Sequence, residues 1–150
     1  MKNILFVCTG NTCRSPLAEA IFNKMAENAG RKFFVRSAGL YVLPGEPASK
    51  NAVLAAEELG LNLAGHQARP LTKQLLQDAE LVLCMTQSQA EQLVRVCPEA
   101  AGKIFALKAY ARQGGDVADP FGGGQDEYRA CAEELEFLCA LALQRILEQQ

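Results

Sequence analysis

Short apolar runs alternate with amphipathic segments along the chain. Four runs have the continuous apolar character of strands that are buried on both faces of a parallel sheet. These runs are Ile4–Val7, Phe33–Val35, Leu81–Met85 and Ile104–Leu107. The amphipathic segments that lie between and after these runs each begin with a polar residue of the kind that starts a helix. The predicted helix starts are Ser15, Ser49, Thr72, Thr86 and Asp126.

Three of these helices carry further signals. Pro16 follows Ser15, so we expect the serine hydroxyl to cap a helix that runs to about Gly30. Thr86 and Gln89 have the spacing of a capping box. The last helix carries an apolar stripe at helical spacing, which predicts that it packs along the core. The stripe consists of Tyr128, Ala132, Leu135, Cys139, Ala142 and Ile146.

The alternation of strands and helices predicts a single α/β domain over residues 1–150. Its simplest form is a doubly wound, four-stranded parallel sheet of order 2-1-3-4, with helices on both faces and right-handed crossovers. Two irregular stretches, residues 38–48 and 108–125, are long for a compact domain. Because ligands bind at the carboxyl ends of parallel strands, we expect both stretches to border the functional site.

Composition narrows the function classes. The 150 residues are 49% hydrophobic and 21% charged, as in an ordinary globular domain, and the net charge of -2 argues against nucleic acid or an anionic membrane as the main partner. Met1 and Lys2 lead into an apolar run that is too short for a secretory leader, and no run is long enough to span a membrane. Six cysteines without secretory features predict reduced thiols and a cytoplasmic protein.

The chemistry is concentrated in the loop Cys8-Thr9-Gly10-Asn11-Thr12-Cys13-Arg14-Ser15 between the first strand and the first helix. Backbone N–H groups of such a loop can form an anion nest, and the N-terminus of the following helix adds its positive dipole end. The loop is therefore predicted to bind a phosphate. The same field stabilises a thiolate at Cys8, and a thiolate is the nucleophile.

Two more side chains complete a phosphoryl-transfer site. Arg14, six positions after Cys8, offers a planar fork for two phosphoryl oxygens, and Ser15 can donate to the sulfur when it leaves. Asp119, in the sequence Asp-Pro-Phe-Gly-Gly-Gly, is the candidate that protonates the leaving group and then activates water. This chemistry requires no metal or other cofactor, and Cys8 and Cys13 lack a second ligand pair with zinc-site spacing.

These motifs resemble the low-molecular-weight protein tyrosine phosphatase family over essentially the whole chain. The resemblance rests on the segments Val7–Pro16, Ser37–Gly39 and Asp119–Gly123. It implies that Cys8 is the nucleophile, Arg14 the phosphate-binding arginine and Asp119 the general acid. It further implies that four residues keep the phosphate loop in shape, namely Asn11, Ser15, Ser37 and His66. A monomer or weak dimer that acts on phosphorylated proteins is expected.

Within the family, the chain is most similar to the bacterial protein arginine phosphatases, which have threonine where Thr12 lies, while tyrosine phosphatases usually have isoleucine or leucine. A threonine hydroxyl can accept a hydrogen bond from a guanidinium N–H, whereas an aliphatic side chain leaves that donor unpaired. Phe121 can cover the planar group of the substrate. We therefore predict phosphoarginine as the substrate, with phosphotyrosine as the alternative.

Other interpretations stay open. A thioredoxin-coupled arsenate reductase shares this loop and needs two further cysteines, for which Cys84 and Cys97 are the candidates. A phosphate-binding module without turnover would lack the nucleophile or the acid, and both are present. Cys8 can alternatively be a buried core thiol, and Asp119 a turn residue. Cys8 and Cys13 can form a disulfide that protects the nucleophile from irreversible oxidation.

Overall fold

Four parallel strands form the centre of the molecule in the computed structural model, which describes residues 2–149. The strands are β1 (Lys2–Cys8), β2 (Phe33–Gly39), β3 (Leu81–Cys84) and β4 (Ile104–Ala106). Their order in the sheet is β2-β1-β3-β4, and every neighbouring pair is parallel. The predicted sheet is confirmed. The outermost positions of the predicted domain, residues 1 and 150, lie outside the described residues.

Helices cover both faces of this sheet. The helices are α1 (Arg14–Asn28), α2 (Lys50–Glu58), α3 (Lys73–Asp78), α4 (Gln87–Val96), α5 (Leu107–Tyr110) and α6 (Gln125–Glu148), with a 3-10 helix over Pro98–Lys103. Because side chains alternate along a strand, Ile4 and Phe6 pack into the core beneath α1 and α6, while Leu5 and Val7 pack into the core beneath α3 and α4. The β1 strand is therefore buried on both faces.

Three predicted helix caps are confirmed. The hydroxyls of Ser49, Thr72 and Thr86 each accept a hydrogen bond from a backbone N–H in the first turn of the helix that follows, at 3.1–3.3 Å. Gln89 completes the capping box with Thr86. The apolar stripe of α6 is buried along its whole length, as predicted, and the helix begins at Gln125, one residue before the expected Asp126.

Two sequence-based predictions are wrong in detail. Ser15 does not cap α1, because the helix begins at Arg14 with Cys13 as its N-cap residue, and the Ser15 hydroxyl instead contacts the sulfur of Cys8. Leu107 does not continue β4 but begins α5. The β3 partner of this edge strand ends at Cys84, which pairs with Ala106, so the ladder has no partner for Leu107.

The carboxyl end of β1 lies between its two neighbours. Cys8 pairs with Gly39 at the end of β2, and Val7 pairs with Cys84 at the end of β3. The loops that follow these three strands therefore meet at one edge of the sheet, where ligands bind in doubly wound folds. Within residues 2–149, no helix is long and apolar enough to cross a membrane.

Candidate active site

The sulfur of Cys8 is the centre of the site. It lies at the end of β1 and is almost completely buried, with two polar contacts in the loop that leads to α1. The backbone N–H of Asn11 donates to Sγ at 3.2 Å, and the Ser15 hydroxyl lies 2.8 Å from it. Both groups have a hydrogen that can be donated to the sulfur.

Asn11 holds the loop in shape. Its φ of 57° lies in the left-handed region, which asparagine tolerates better than most residues. Its side-chain amide donates to Ser15 Oγ at 2.8 Å and to Ser37 Oγ at 2.9 Å. Its side-chain oxygen accepts from the backbone of Arg69, and its carbonyl oxygen accepts from His66 Nε2 at 2.7 Å. A buried side chain thus joins the loop to two other segments.

This network leaves the hydrogen of the Ser15 hydroxyl available to the Cys8 sulfur. Because Ser15 Oγ accepts from the Asn11 amide, its own hydrogen is free to point at Cys8 Sγ. Ser37 behaves in the same way, since it accepts from Asn11 and donates to Glu19 Oε1 at 2.6 Å. Two branches of hydrogen bonds therefore run outward from the Asn11 amide, one through Ser37 to the Glu19 carboxylate and the other through Ser15 to the Cys8 sulfur. Glu19 was not predicted from the sequence.

Arg14 connects the phosphate loop with the loop that carries Asp119. The arginine is the first residue of α1 and is only 4% exposed. Its Nη1 atom donates to the carbonyl oxygen of Val117 at 3.0 Å, and its Nη2 atom lies 3.5 Å from Asp119 Oδ2. Arg14 and Asp119 are thus brought together, beside the loop that begins at Cys8.

The loop that carries Asp119 is exposed at its tip. The Asp119 side chain is 50% exposed, and its Oδ1 atom accepts from the backbone N–H of Phe121 at 3.0 Å. The Phe121 ring is 77% exposed. The exposed carboxylate of Asp119 and the exposed ring of Phe121 are both accessible to a bound substrate.

Thr12 and Cys13 follow Asn11 in the phosphate loop. Thr12 is half-buried, and its hydroxyl lies 3.7 Å from Cys13 Sγ. The Cys13 thiol donates to Ser49 Oγ at 3.4 Å and contacts the Tyr128 hydroxyl at 3.2 Å. Burial, and then the contact with Cys13, raises the pKa of Tyr128 to about 12. Cys8 and Cys13 are free thiols with different neighbours, and a disulfide between them remains a prediction.

Gln89 is a second residue of the site whose role here was not predicted. The sequence indicates its place in the capping box, but its buried side chain also donates from Nε2 to Thr9 Oγ1 at 3.0 Å. Its Oε1 atom accepts from the backbone N–H groups of Met85 and Thr86.

Gly10, the neighbour of Thr9, has room for a Cβ, since the nearest atom, Thr12 Oγ1, would be 3.7 Å away.

The two cysteines that a redox relay would need pack on the opposite face of the sheet from Cys8. Cys84 and Cys97 belong to the core beneath α3 and α4, whereas Cys8 belongs to the core on the opposite face of the sheet. Burial raises the pKa of the Cys84 thiol to about 12. A hydrogen bond to Glu99 raises the pKa of Cys97. Buried thiols with raised pKa values, on the opposite face of the sheet, argue against a relay with the nucleophile.

A family model decides the relationship of this chain to known proteins. The model of the low molecular weight phosphotyrosine protein phosphatases matches residues 3–150. The chain belongs to this family. Its similarity to curated members covers most of each protein. A protein-arginine-phosphatase of Bacillus subtilis (strain 168) is 44% identical over 137 residues, which are 91% of this chain and 91% of that protein.

Members with another named activity are also similar to the chain. The low molecular weight protein-tyrosine-phosphatase Ptp of Acinetobacter johnsonii is 37% identical over 80% of each chain. Among solved structures, a cysteine-to-serine mutant of the YwlE arginine phosphatase, with a phosphorylated active-site serine, superimposes with a TM-score of 0.95. It is 40% identical, and the match covers 99% of this chain and 97% of that one. The arsenate reductase interpretation is not favoured by these comparisons.

Proposed function

We propose that this chain is a cysteine-dependent protein arginine phosphatase, which hydrolyses phosphoarginine on proteins through a cysteinyl-phosphate on Cys8. The observation that carries the proposal is the double contact of Arg14 with Val117 and Asp119 beside the phosphate loop. This contact places the anion-binding guanidinium beside the proposed general acid, next to the loop that begins with the proposed nucleophile. The single domain is proposed to extend over residues 1–150.

The first half of the reaction forms the intermediate. The Cys8 thiolate attacks phosphorus while the loop N–H groups of residues 9–15 and the Arg14 fork hold the phosphoryl oxygens. The P–N bond breaks, and the Asp119 carboxylic acid gives its proton to the departing guanidine nitrogen. Asp119 is half exposed beside Arg14, so its carboxyl group is accessible to a leaving group.

The second half releases phosphate. The Asp119 carboxylate takes a proton from water, the water oxygen bonds to phosphorus, and the S–P bond breaks. Negative charge returns to the Cys8 sulfur, which the hydroxyl of Ser15 and the N–H of Asn11 stabilise. Asn11, Ser37 and His66 are proposed to keep the loop in the conformation that allows this.

Two features support phosphoarginine as the substrate. Thr12 is half-buried in the phosphate loop, where its hydroxyl can accept a hydrogen bond from a substrate guanidinium. A curated relative with the name protein-arginine-phosphatase is 44% identical to the chain. The exposed ring of Phe121 is proposed to cover the planar guanidinium.

The proposal also covers the compartment, the partners and the oligomeric state of the protein. The six free cysteines, all buried, agree with a reducing compartment such as the bacterial cytoplasm. The net charge of -2 supports phosphorylated proteins rather than nucleic acid as partners. A monomer or weak dimer is proposed, and Cys8 with Cys13 is proposed as a reversible disulfide under oxidation.

The test is phosphate release from matched phosphoarginine and phosphotyrosine peptides. We expect wild type to hydrolyse phosphoarginine faster, and Cys8→Ser to be inactive on both peptides. Thr12→Val keeps the shape of the side chain and removes only the hydroxyl, so it should lower kcat/KM for phosphoarginine more than for phosphotyrosine. Thr12→Ile adds bulk and should reverse the preference.

Each result has a defined meaning. Turnover that survives in Cys8→Ser would exclude the covalent mechanism. A wild-type preference for phosphotyrosine would make the chain a tyrosine phosphatase, which is the second candidate because a curated relative with that name is 37% identical to it. Equal effects of Thr12→Val on both peptides would remove the hydroxyl from the explanation of specificity.

A further inference from the structure

The first turn of α4 contacts both loops of the proposed active site. On one side, Gln89 Nε2 donates to Thr9 Oγ1 in the phosphate loop at 3.0 Å. On the other side, the backbone N–H of Gln87 donates to Asp116 Oδ1 at 2.8 Å, three residues before Asp119. One rigid turn therefore touches the loop of the nucleophile and the loop of the acid.

Gln89 makes this turn rigid from within. Its Oε1 atom accepts from Met85 N at 3.0 Å and from Thr86 N at 3.1 Å, while its own backbone N–H donates to Thr86 Oγ1. The glutamine is buried and its amide has partners on both its oxygen and its nitrogen. Such a satisfied buried polar group holds its surroundings in one arrangement.

The segment before Asp119 is fastened at two further points. The backbone N–H of Val117 donates to Met85 O at 2.9 Å, and the Val117 carbonyl accepts from Arg14. Val117 is buried, while Asp116 and Asp119 on either side of it are exposed. Asp116 is thus a side-chain anchor of this segment that can be removed while the phosphate-binding arginine and the backbone contacts of Val117 are kept.

We infer that Asp116 is a positioning residue for the general acid: by accepting from the N-terminus of α4, it fixes the position of Asp119 relative to Cys8. The inference rests on the proposed function. A carboxylate at a helix N-terminus is stabilised by the unpaired N–H groups and the positive dipole end, so the contact is also favourable in an exposed position. Asp116 itself does not touch the reacting atoms.

Leaving-group dependence separates this role from a structural one. The value of kcat/KM reports the steps up to the first irreversible one, here the cleavage of the bond from phosphorus to the leaving group. A strongly basic leaving group needs the proton of Asp119, whereas a weakly basic one leaves without it. A misplaced Asp119 carboxyl group therefore slows the hydrolysis of phenyl phosphate and leaves the hydrolysis of 2,4-dinitrophenyl phosphate nearly unchanged. A general loss of folded protein slows both equally.

The experiment measures kcat/KM for both aryl phosphates with wild type, Asp116→Ala, Asp116→Asn and Asp119→Asn. We expect Asp116→Ala to lower kcat/KM roughly tenfold for phenyl phosphate and less than about twofold for the dinitrophenyl ester. The tenfold loss is part of the ~10²–10⁴ that a positioned general acid contributes to the rate. Asp116→Asn keeps an oxygen that accepts from Gln87, so it should recover most of the loss. Asp119→Asn should show the full selective loss.

A matched control removes another exposed carboxylate. Asp126 accepts from Arg129 at 3.3 Å, and Asp126→Ala should leave the ratio of the two rates unchanged. Equal losses on both esters in Asp116→Ala, or no loss on either, would overturn the positioning role. Aryl phosphate turnover by wild type that persists in Cys8→Ser would overturn the proposed function itself, which is a different result.

Discussion

The Nη2 atom of Arg14 lies 3.5 Å from the Oδ2 atom of Asp119, while the Nη1 atom of the same guanidinium donates to Val117 O at 3.0 Å. One planar group therefore holds the acid-bearing loop against the phosphate loop. The arginine is almost fully buried, and the carboxylate is half exposed. A lysine at this position would carry the charge but would lack the planar fork whose two nitrogens make these contacts from one rigid group.

We expect Arg14→Lys to lower kcat by about 10²–10³, the cost of losing a directed donor to transition-state charge. The KM should change less, since the positive charge remains. Steady-state kinetics on a phosphoarginine peptide measure both. Arg69→Lys is the matched control, because Arg69 is exposed and contacts the site through its backbone N–H. A loss below about tenfold in Arg14→Lys would contradict the role of the fork.

The direction of the hydrogen bonds around Asn11 gives a second prediction. Asn11→Asp keeps the shape of the side chain but replaces the amide that donates to Ser15 and Ser37 by an acceptor. Ser15 would then donate to the new carboxylate and no longer to Cys8. Both the lost hydrogen bond and the added negative charge disfavour a thiolate.

The measurement for Asn11→Asp is the rate of alkylation of Cys8 by iodoacetamide at neutral pH, followed by mass spectrometry. We expect this rate to fall at least about tenfold, because the thiolate is the reacting species. Ser15→Ala removes the same donor without added charge and should show a smaller decrease. An unchanged rate in both variants would mean that Ser15 does not donate to the sulfur.

The sequence predicted the parts of the site that are local. Cys8, Arg14 and the glycine between them lie in one loop, and a buried apolar run before it indicates the end of a central parallel strand. The sheet order followed from the alternation of elements. The same local reasoning failed at Ser15, because its hydroxyl had a more favourable partner in the Cys8 sulfur than in the helix backbone.

Contacts between distant segments could not be predicted. Gln89 was recognised through the capping box, but its contact with Thr9 depends on how α4 packs beside the phosphate loop. Glu19 and Asp116 carry no motif and gain a role only through Ser37 and the first turn of α4. The capping-box position was the one signal that the sequence offered for Gln89. In the fold its amide nitrogen is buried and therefore needs a partner.

Gly39 is predicted to tolerate no side chain. A Cβ there would lie against Val42, and it would approach Thr9 O to 2.8 Å and Asn11 N to 3.0 Å. Because the last two are backbone atoms of the phosphate loop, Gly39→Ala should displace the loop and lower both stability and kcat/KM. We expect a destabilisation of about 1–3 kcal/mol, typical of an overpacked core, in urea unfolding.

Two variants test the cause of the Gly39 effect. Gly102→Ala adds the same methyl group at a position with no atom within 4 Å, so its stability should stay close to that of wild type. Val42→Ala in combination with Gly39→Ala removes the side-chain overlap but not the overlap with the loop backbone. Stability should recover only in part, and full recovery would show that the phosphate loop is not displaced.

Stability at alkaline pH should depend on Cys84. Burial raises the pKa of this fully buried thiol from about 9 to about 12. Between these values the unfolded chain loses the proton while the folded chain keeps it, so the free energy of unfolding falls as pH rises, by up to about 1.4 kcal/mol per pH unit for one thiol. Below pH 8 the contribution is constant, because both states are protonated.

We therefore expect the stability difference between wild type and Cys84→Ala to shrink as the pH rises from 8 to 11, while the variant is less stable at neutral pH because it loses a buried sulfur. Urea unfolding at each pH measures the difference. Tyr128, whose pKa is also raised to about 12, contributes to the fall in both proteins and cancels in the comparison. Parallel stability curves over this range would mean that the folded protein ionises Cys84 as readily as the unfolded chain does.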